Sequence, residues 1–230
     1  MSITDNPGQL GLTPQHTFQM NRILRHKLRN HSAGLKMTLH RIQEVLEGVN
    51  SQMADRCELM LSELESLEKF TERMDLIFSD LPEAEPIMLF NLICDLRRSF
   101  ASDYPMVNLE FIGQECAAQF PNGNYIMIAL KELLLNAGEA AGLEGNVSLQ
   151  WKLDDKVEFT ITNNGDDIPE KVPTKPPIPF YTEKGRHDGL GLAIVDRICR
   201  SLGGTFSLTP QTKGGVVAKI ELPREELSDG

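Results

Sequence analysis

Between Lys131 and Leu192 the chain gathers asparagine, glycine and acidic residues in an order suited to a phosphorylated ligand. Asn163-Asn164-Gly165-Asp166-Asp167-Ile168-Pro169 is a turn-forming run, and Gly189-Leu190-Gly191-Leu192 opens an apolar helical stretch. Glycine there lets backbone N–H groups approach a phosphate with no Cβ in the way, and the helix that follows turns its positive dipole end toward it. The proline-rich segment between the two runs, 170–188, reads as a mobile lid over a nucleotide. A lone GLGL carries little weight; two such elements around a lid carry much more.

A hard-oxygen cation site sits upstream. In Lys131-Glu132-Leu133-Leu134-Leu135-Asn136-Ala137-Gly138-Glu139-Ala140, a helical projection puts Glu132, Asn136 and Glu139 on one narrow arc. Leu130, Leu134, Ala137 and Ala141 point the other way. An ordinary amphipathic helix would look similar, but Asn and Gly inside it cost stability and call for some return. An Asn carbonyl beside a carboxylate suits Mg²⁺ carrying nucleotide phosphates.

These groups need a scaffold, and the chain has two kinds. From Phe18 to Leu81 the pattern is helical, broken near Gly48-Val49-Asn50-Ser51. Leu24, Leu28, Leu35, Leu39, Ile42 and Leu46 draw one stripe, taken as the buried direction; Leu61, Leu64, Leu67, Met74 and Ile77 draw another. A hairpin of two helices buries only part of such stripes, so pairing with a second copy as a four-helix bundle is expected. Beyond Pro82–Pro86 the periods mix. Val147, Leu149, Trp151 and Leu153 alternate with polar residues, Val157, Phe159 and Ile161 repeat this after Asp154-Asp155, and Val216, Ala218, Ile220 and Leu222 do so again. With helices predicted at 89–101, 124–142 and 189–202, the expected class is α+β: a helical hairpin at 15–82, then a sandwich of helices on a mixed sheet at 86–224.

Thirty-three acidic against twenty-three basic residues give a net charge of −10, which speaks against a nucleic-acid phosphate footprint. Cys57, Cys94, Cys116 and Cys199 show no CxxC spacing and read as free thiols in a reducing compartment. No apolar run reaches the length of a membrane span and MSITDNPGQL lacks a signal pattern, so a cytoplasmic protein is expected, with any sensor supplied separately.

The ordered boxes KELLLNAGEA, TNNGDDIP, PFYTEK, GLGLAIV and GGVVAKIELP resemble the ATP-binding domain shared by sensor histidine kinases, DNA gyrase and MutL proteins. LRHKLRN near the N-terminus is similar to the phosphoacceptor box of histidine kinases in particular. The resemblance implies a homodimeric histidine kinase core that uses ATP and Mg²⁺ to phosphorylate His26, then passes the phosphoryl group to an Asp of a response-regulator receiver domain. Asn136 would hold Mg²⁺, with Glu132 at the position of the water-activating glutamate of gyrase-like members. Asn163 stands where the family usually has the Asp that accepts from the adenine amino group, which predicts weaker nucleotide binding; Asp167 stands at a common glycine position. Phe180, Thr182 and Lys184 match the lid, and Gly189, Leu190, Gly191 and Leu192 match the phosphate box. His187 replaces a glycine and is read as solvent-facing.

His26 projects about 180° from the leucine stripe and so toward solvent, whereas His31 falls on the stripe and is read as packed between helices. His40 also projects outward, with no motif around it. Lys27 replaces the carboxylate that usually follows the acceptor; it cannot act as a base but can hold phosphoryl oxygens. Asn30 matches the position that orients water for dephosphorylating the regulator, or is simply a solvated helix residue. Two rival readings are a degenerate nucleotide-binding dimeric scaffold, favoured by Lys27, Asn163 and Asp167, and a gyrase-like ATP-driven machine with Glu132 as base.

Overall fold

The computed structural model describes residues 14–46, 49–114, 117–165, 177–182, 188–211, 214–224 and 228–229. The chain divides into two compact units, Met1–Asp80 and Leu81–Gly230.

The first unit is a hairpin of α1 (Pro14–Leu46) and α2 (Ser51–Phe78). Asn50 caps α2: its backbone is extended and its side-chain oxygen accepts from the Met53 N–H at 3.2 Å, a cap of about 1 kcal/mol. The α2 stripe lies inward as expected, with Leu61 buried and Leu64, Leu67, Met74 and Ile77 half-buried. The α1 stripe does not. Leu24 is 51% and Leu35 56% exposed, Leu28 and Ile42 are exposed as well, and only Leu39 and Leu46 are half-buried. His31, expected between helices, is exposed with them.

The face that α1 does bury is polar. Arg25 and Ser32, two turns apart, are each 2% exposed. Arg25 donates from Nε to Asp75 Oδ1 at 2.6 Å and from Nη2 to Ser79 Oγ at 2.8 Å, and its guanidinium lies 5.9 Å from the Phe78 ring centroid. Arg29 pairs with the other Asp75 oxygen, and Lys36 reaches Glu68 at 3.1 Å and Glu65 at 3.5 Å. At 100° per residue this seam lies about a quarter turn from the leucine stripe. Periodicity located both faces, but only the charge partners on α2 decide which one closes the hairpin.

Burial alone would push the Asp75 carboxyl up, but the hydrogen bonds and charges of Arg29 and Arg25 outweigh it and hold the group below the ordinary aspartate range. A depressed folded-state value means the unfolded chain takes the proton first. The resulting stability is therefore full above the unfolded value near 3.9 and is lost as pH falls through the folded one. The thermal stability of the hairpin should fall as pH drops below about 4. Asp75→Asn should flatten that slope; an unchanged slope would remove Asp75 from the account.

The second unit runs β1 (Ile87–Met88), α3 (Leu89–Asp103), β2 (Asn108–Ile112), β3 (Ala118–Phe120), α4 (Gly123–Ala141), β4 (Asn146–Leu153), β5 (Lys156–Asn163), α5 (Gly191–Ser201), β6 (Thr205–Pro210), β7 (Val216–Pro223) and β8 (Ser228–Asp229). Five strands form a mixed sheet in the order β2-β4-β5-β7-β6, parallel between β2 and β4 and antiparallel elsewhere. β1, β3 and β8 form a small second sheet. Period-two burial on β4, β5 and β7 turns Leu149, Phe159, Ile161 and Ile220 inward. Against them lie Leu92 and Leu96 of α3, Ile126 and Leu130 of α4 and Ile194 of α5, all essentially without exposure. The helices predicted at 89–101, 124–142 and 189–202 are present within two residues at each end.

Candidate functional site

Three elements of the second unit converge, since α4 packs on both β5 and α5. On α4, Leu130, Leu133, Leu134 and Ala137 are buried, while Glu132, Asn136 and Glu139 lie half-buried along the other face. Glu132 and Asn136, one turn apart, are neighbours on that face. Gly138 has a packing reason of its own: a Cβ there would come within 2.8–2.9 Å of the Tyr104 and Phe100 rings. Tyr104 also donates from Oη to the Leu135 carbonyl at 3.1 Å. The return for Gly138 is structural, and that for Asn136 is left to chemistry.

Asn163 ends β5 and continues the inward alternation of Phe159 and Ile161, so its side chain enters the helix-covered layer at 4% exposure. The backbone around it is braced on both sides. Its carbonyl accepts from Gln211 Nε2 at 3.0 Å; Asn164 donates from its N–H to the Asn146 carbonyl at 3.2 Å and accepts from the Asn146 N–H through Oδ1 at 2.8 Å. Gly165 lies so close to α4 that a Cβ would stand 1.6 Å from the Ala140 carbonyl oxygen. Asn163 Nδ2 is buried and has no hydrogen-bond partner among the described residues.

The described segment 177–182 meets the start of α5. Phe180 donates its N–H to the Gly189 carbonyl at 3.0 Å and holds a left-handed φ of 67°, rare for an aromatic residue. Gly189 has φ 67°, and a Cβ there would press to 2.7 Å on the Phe180 carbonyl carbon. Asp188 Oδ1 accepts from the Leu190 N–H at 3.0 Å; Leu190 is fully buried, and Gly191 and Leu192 begin the helix half-buried. Thr182 is exposed beside Tyr181. Asp167, Lys184 and His187 lie outside the described residues.

These groups fit a nucleotide with its cation. Mg²⁺ characteristically takes one or two protein oxygens together with phosphates and water, and a carboxylate and an amide oxygen on adjoining turns supply such a set. Among the described residues no group of three His, Cys, Asp or Glu could form an all-protein cage. Thiol chemistry has no role at α5: burial, then Asp196, pushes the Cys199 thiol up to about 12. A concavity of about 310 Å³ lined by Glu110, Ser148, Thr162 and Gln211 lies on the opposite face of the sheet, where Glu110, Ser148 and Thr162 form one row in register.

In the first unit His26, Lys27 and Asn30 are exposed on α1. Asn30 Nδ2 lies 3.2 Å from His26 Nδ1. With the amide nitrogen donating, the ring proton sits on Nε2. With the amide turned, Oδ1 accepts from Nδ1–H and Nε2 carries the free lone pair.

Sequence reasoning missed Gln211 and the Asn146–Asn164 brace. No local signal announces them, because the partners are 48 and 18 positions apart. It located Gly165 without its reason. Gly165→Ala forces backbone against backbone and should cost about 1–3 kcal/mol along with nucleotide binding. Gly34→Ala, in the middle of α1 with open space around it, should instead stabilise the helix by about 0.5–1 kcal/mol. Equal unfolding midpoints for the two variants would refute this contrast.

Residues 122–226 match the histidine kinase-, DNA gyrase B-, and HSP90-like ATPase family. Sporulation kinase A of Bacillus subtilis is 26% identical over 211 residues, 87% of this chain and 33% of the relative. The catalytic domain of histidine kinase ThkA superposes with a TM-score of 0.56 at 27% identity, over 63% of this chain and 99% of that domain. Full-length ShkA in complex with AMPPNP shares the fold over 95% of this chain and 47% of its own, with a TM-score of 0.71 at 16% identity. The chain spans only 21–33% of the length of three curated relatives that it matches. Among the described residues no helix is long and apolar enough to cross a membrane.

Proposed function

Residues 122–226 form a domain of the histidine kinase-, gyrase- and HSP90-like ATPase family, and on that premise we propose that the chain is an ATP-dependent protein histidine kinase core. In this reading 15–82 is the dimerising phosphoacceptor hairpin and 86–224 the nucleotide-binding domain. One observation carries it: the Glu132/Asn136 face, the braced turn at Asn163–Gly165 and the Gly189–Leu192 helix start come together in one domain, while a second unit displays His26 to solvent.

ATP bound here supplies the γ-phosphoryl group, and Glu132 and Asn136 are the residues that would hold its Mg²⁺ and so offset phosphate charge. Gly191, with no Cβ at the start of α5, would let phosphate oxygens approach the backbone there, while Gly189 makes room for the Phe180 and Tyr181 backbone beside it. Phe180, Thr182 and Lys184 belong to the lid that excludes water, so that histidine and not solvent takes the phosphoryl group. His26 attacks in line through an unprotonated ring nitrogen, and the Asn30 amide, turned so that Oδ1 accepts from Nδ1–H, would keep that lone pair on Nε2. Asn30 thus supplies the orientation that Lys27 cannot, leaving Lys27 to hold phosphoryl oxygens. The exposed Leu24, Leu28, Leu35 and Ile42 stripe is the face for a second copy of the hairpin, and the receiver domain of a response regulator is the partner that accepts the phosphoryl group. A cytoplasmic location suits that partner.

The test is incubation with γ-labelled ATP and Mg²⁺. Protein-bound label that is acid-labile and base-stable supports the kinase. Tight nucleotide binding with no phosphoprotein selects instead the scaffold reading, which the neutral Asn163 favours.

A further inference from the structure

Asn163 carries a feature that a carboxylate at its position would lack. The residue is 96% removed from solvent, its backbone is clamped by Gln211, by the Asn146–Asn164 pair and by the close approach of Gly215, and its amide nitrogen is a buried donor with no partner among the described residues. Buried donors are almost always paired, so one held on a braced turn beside a nucleotide site points to an acceptor on the ligand. A carboxylate offers only acceptors, whereas a carboxamide offers one acceptor and one donor side by side.

That pair matches two different purine edges. Adenine presents the 6-amino donor beside the N1 acceptor, so Oδ1 accepts and Nδ2 donates. Guanine and hypoxanthine present the 6-oxo acceptor beside the N1–H donor, and the same amide turned over meets both. A carboxylate facing a 6-oxo group would set acceptor against acceptor, the mismatch by which polar sites reject a wrong ligand. We propose that Asn163 is the specificity-determining residue of the base pocket and that it makes the pocket accept 6-oxopurine nucleotides as well as adenine nucleotides. This rests on the reading of Asn163 as the base-facing residue of a nucleotide site.

Calorimetric titration of the full chain with Mg-ADP, Mg-IDP and Mg-GDP tests it. IDP isolates the 6-oxo group, because hypoxanthine lacks the 2-amino group that could clash for unrelated reasons. A dissociation constant for IDP within about thirtyfold of that for ADP supports the proposal, and a larger ratio overturns it. In Asn163→Asp the IDP-to-ADP ratio should rise at least about tenfold while ADP is still bound. An unchanged ratio in that variant takes the discrimination away from Asn163. Should the variant fail to fold, the wild-type ratio decides alone. If the wild-type chain binds neither ADP nor IDP, the nucleotide-site reading falls too, an outcome distinct from ADP binding without IDP.

Discussion

His26→Gln is expected to bring acid-labile labelling by γ-labelled ATP down to background, a loss of at least about a thousandfold. Glutamine approximates the length of the side chain and keeps a hydrogen-bonding group for Asn30, but it has no ring nitrogen with a lone pair to attack phosphorus. His26 is exposed, so the substitution should leave the unfolding midpoint within about 0.5 kcal/mol of wild type. Chemistry and stability are thereby separated in one variant. His31→Gln and His40→Gln are the matched controls: both histidines are exposed on the same helix, and neither sits against an amide as His26 does against Asn30. Both should label as wild type does. Equal labelling of His26→Gln and wild type would place the acceptor elsewhere, and steady ATP turnover in that variant would return the gyrase-like reading with Glu132 as base.

The elements visible from sequence are those whose own residues settle them. β4 and β5 alternate over their length and β7 from Val217 onward, and α4 carries its apolar arc for five turns, so period alone located them. β1, β3 and β8 were invisible because two or three residues carry no period; they exist through pairing between segments far apart in the chain. β2 does alternate, with Leu109 and Phe111 inward, but over only five residues beside the turn at Pro105. The exposure of the α1 stripe within one chain has another origin. A leucine stripe shows that a face is apolar, not what covers it, and here the intrachain seam is the Arg25–Ser32–Lys36 face, because Asp75, Ser79 and Glu68 stand opposite it. At the site, the glycines at 165 and 189 were readable as close approaches, while their neighbours, the Ala140 and Phe180 backbones, were not. Gly138, whose cost within a helix called for some return, finds it in the Tyr104 and Phe100 packing.

The buried guanidinium of Arg25 sets up the second large effect, on stability. Its removal from water is offset by Asp75 and Ser79, yet Nη1 is buried without a partner among the described residues, so the arrangement has little reserve. Asp75→Ala leaves that charge uncompensated at 2% exposure and should cost about 3 kcal/mol or more, the usual result of breaking a buried pair from one side. Arg29→Ala, though it removes a contact to the same carboxylate, should cost under about 1 kcal/mol, because Arg29 is half exposed and water replaces the lost partner. The double variant Arg25→Met, Asp75→Leu should recover most of the loss, since an apolar pair of similar volume carries no desolvation penalty. Urea unfolding at fixed protein concentration separates these outcomes; equal midpoints for Asp75→Ala and Arg29→Ala would show that Arg25 gains little from Asp75. Arg25 also precedes His26 in the chain, so the pair that closes the hairpin fixes the turn of α1 displaying the acceptor. Asp75→Ala should therefore lower labelling as well, but only to the extent that the hairpin opens, with labelling and helicity falling together across a urea series. The double variant, with its hairpin closed again, should label nearly as wild type does, which a direct role of Asp75 in phosphoryl transfer would not allow.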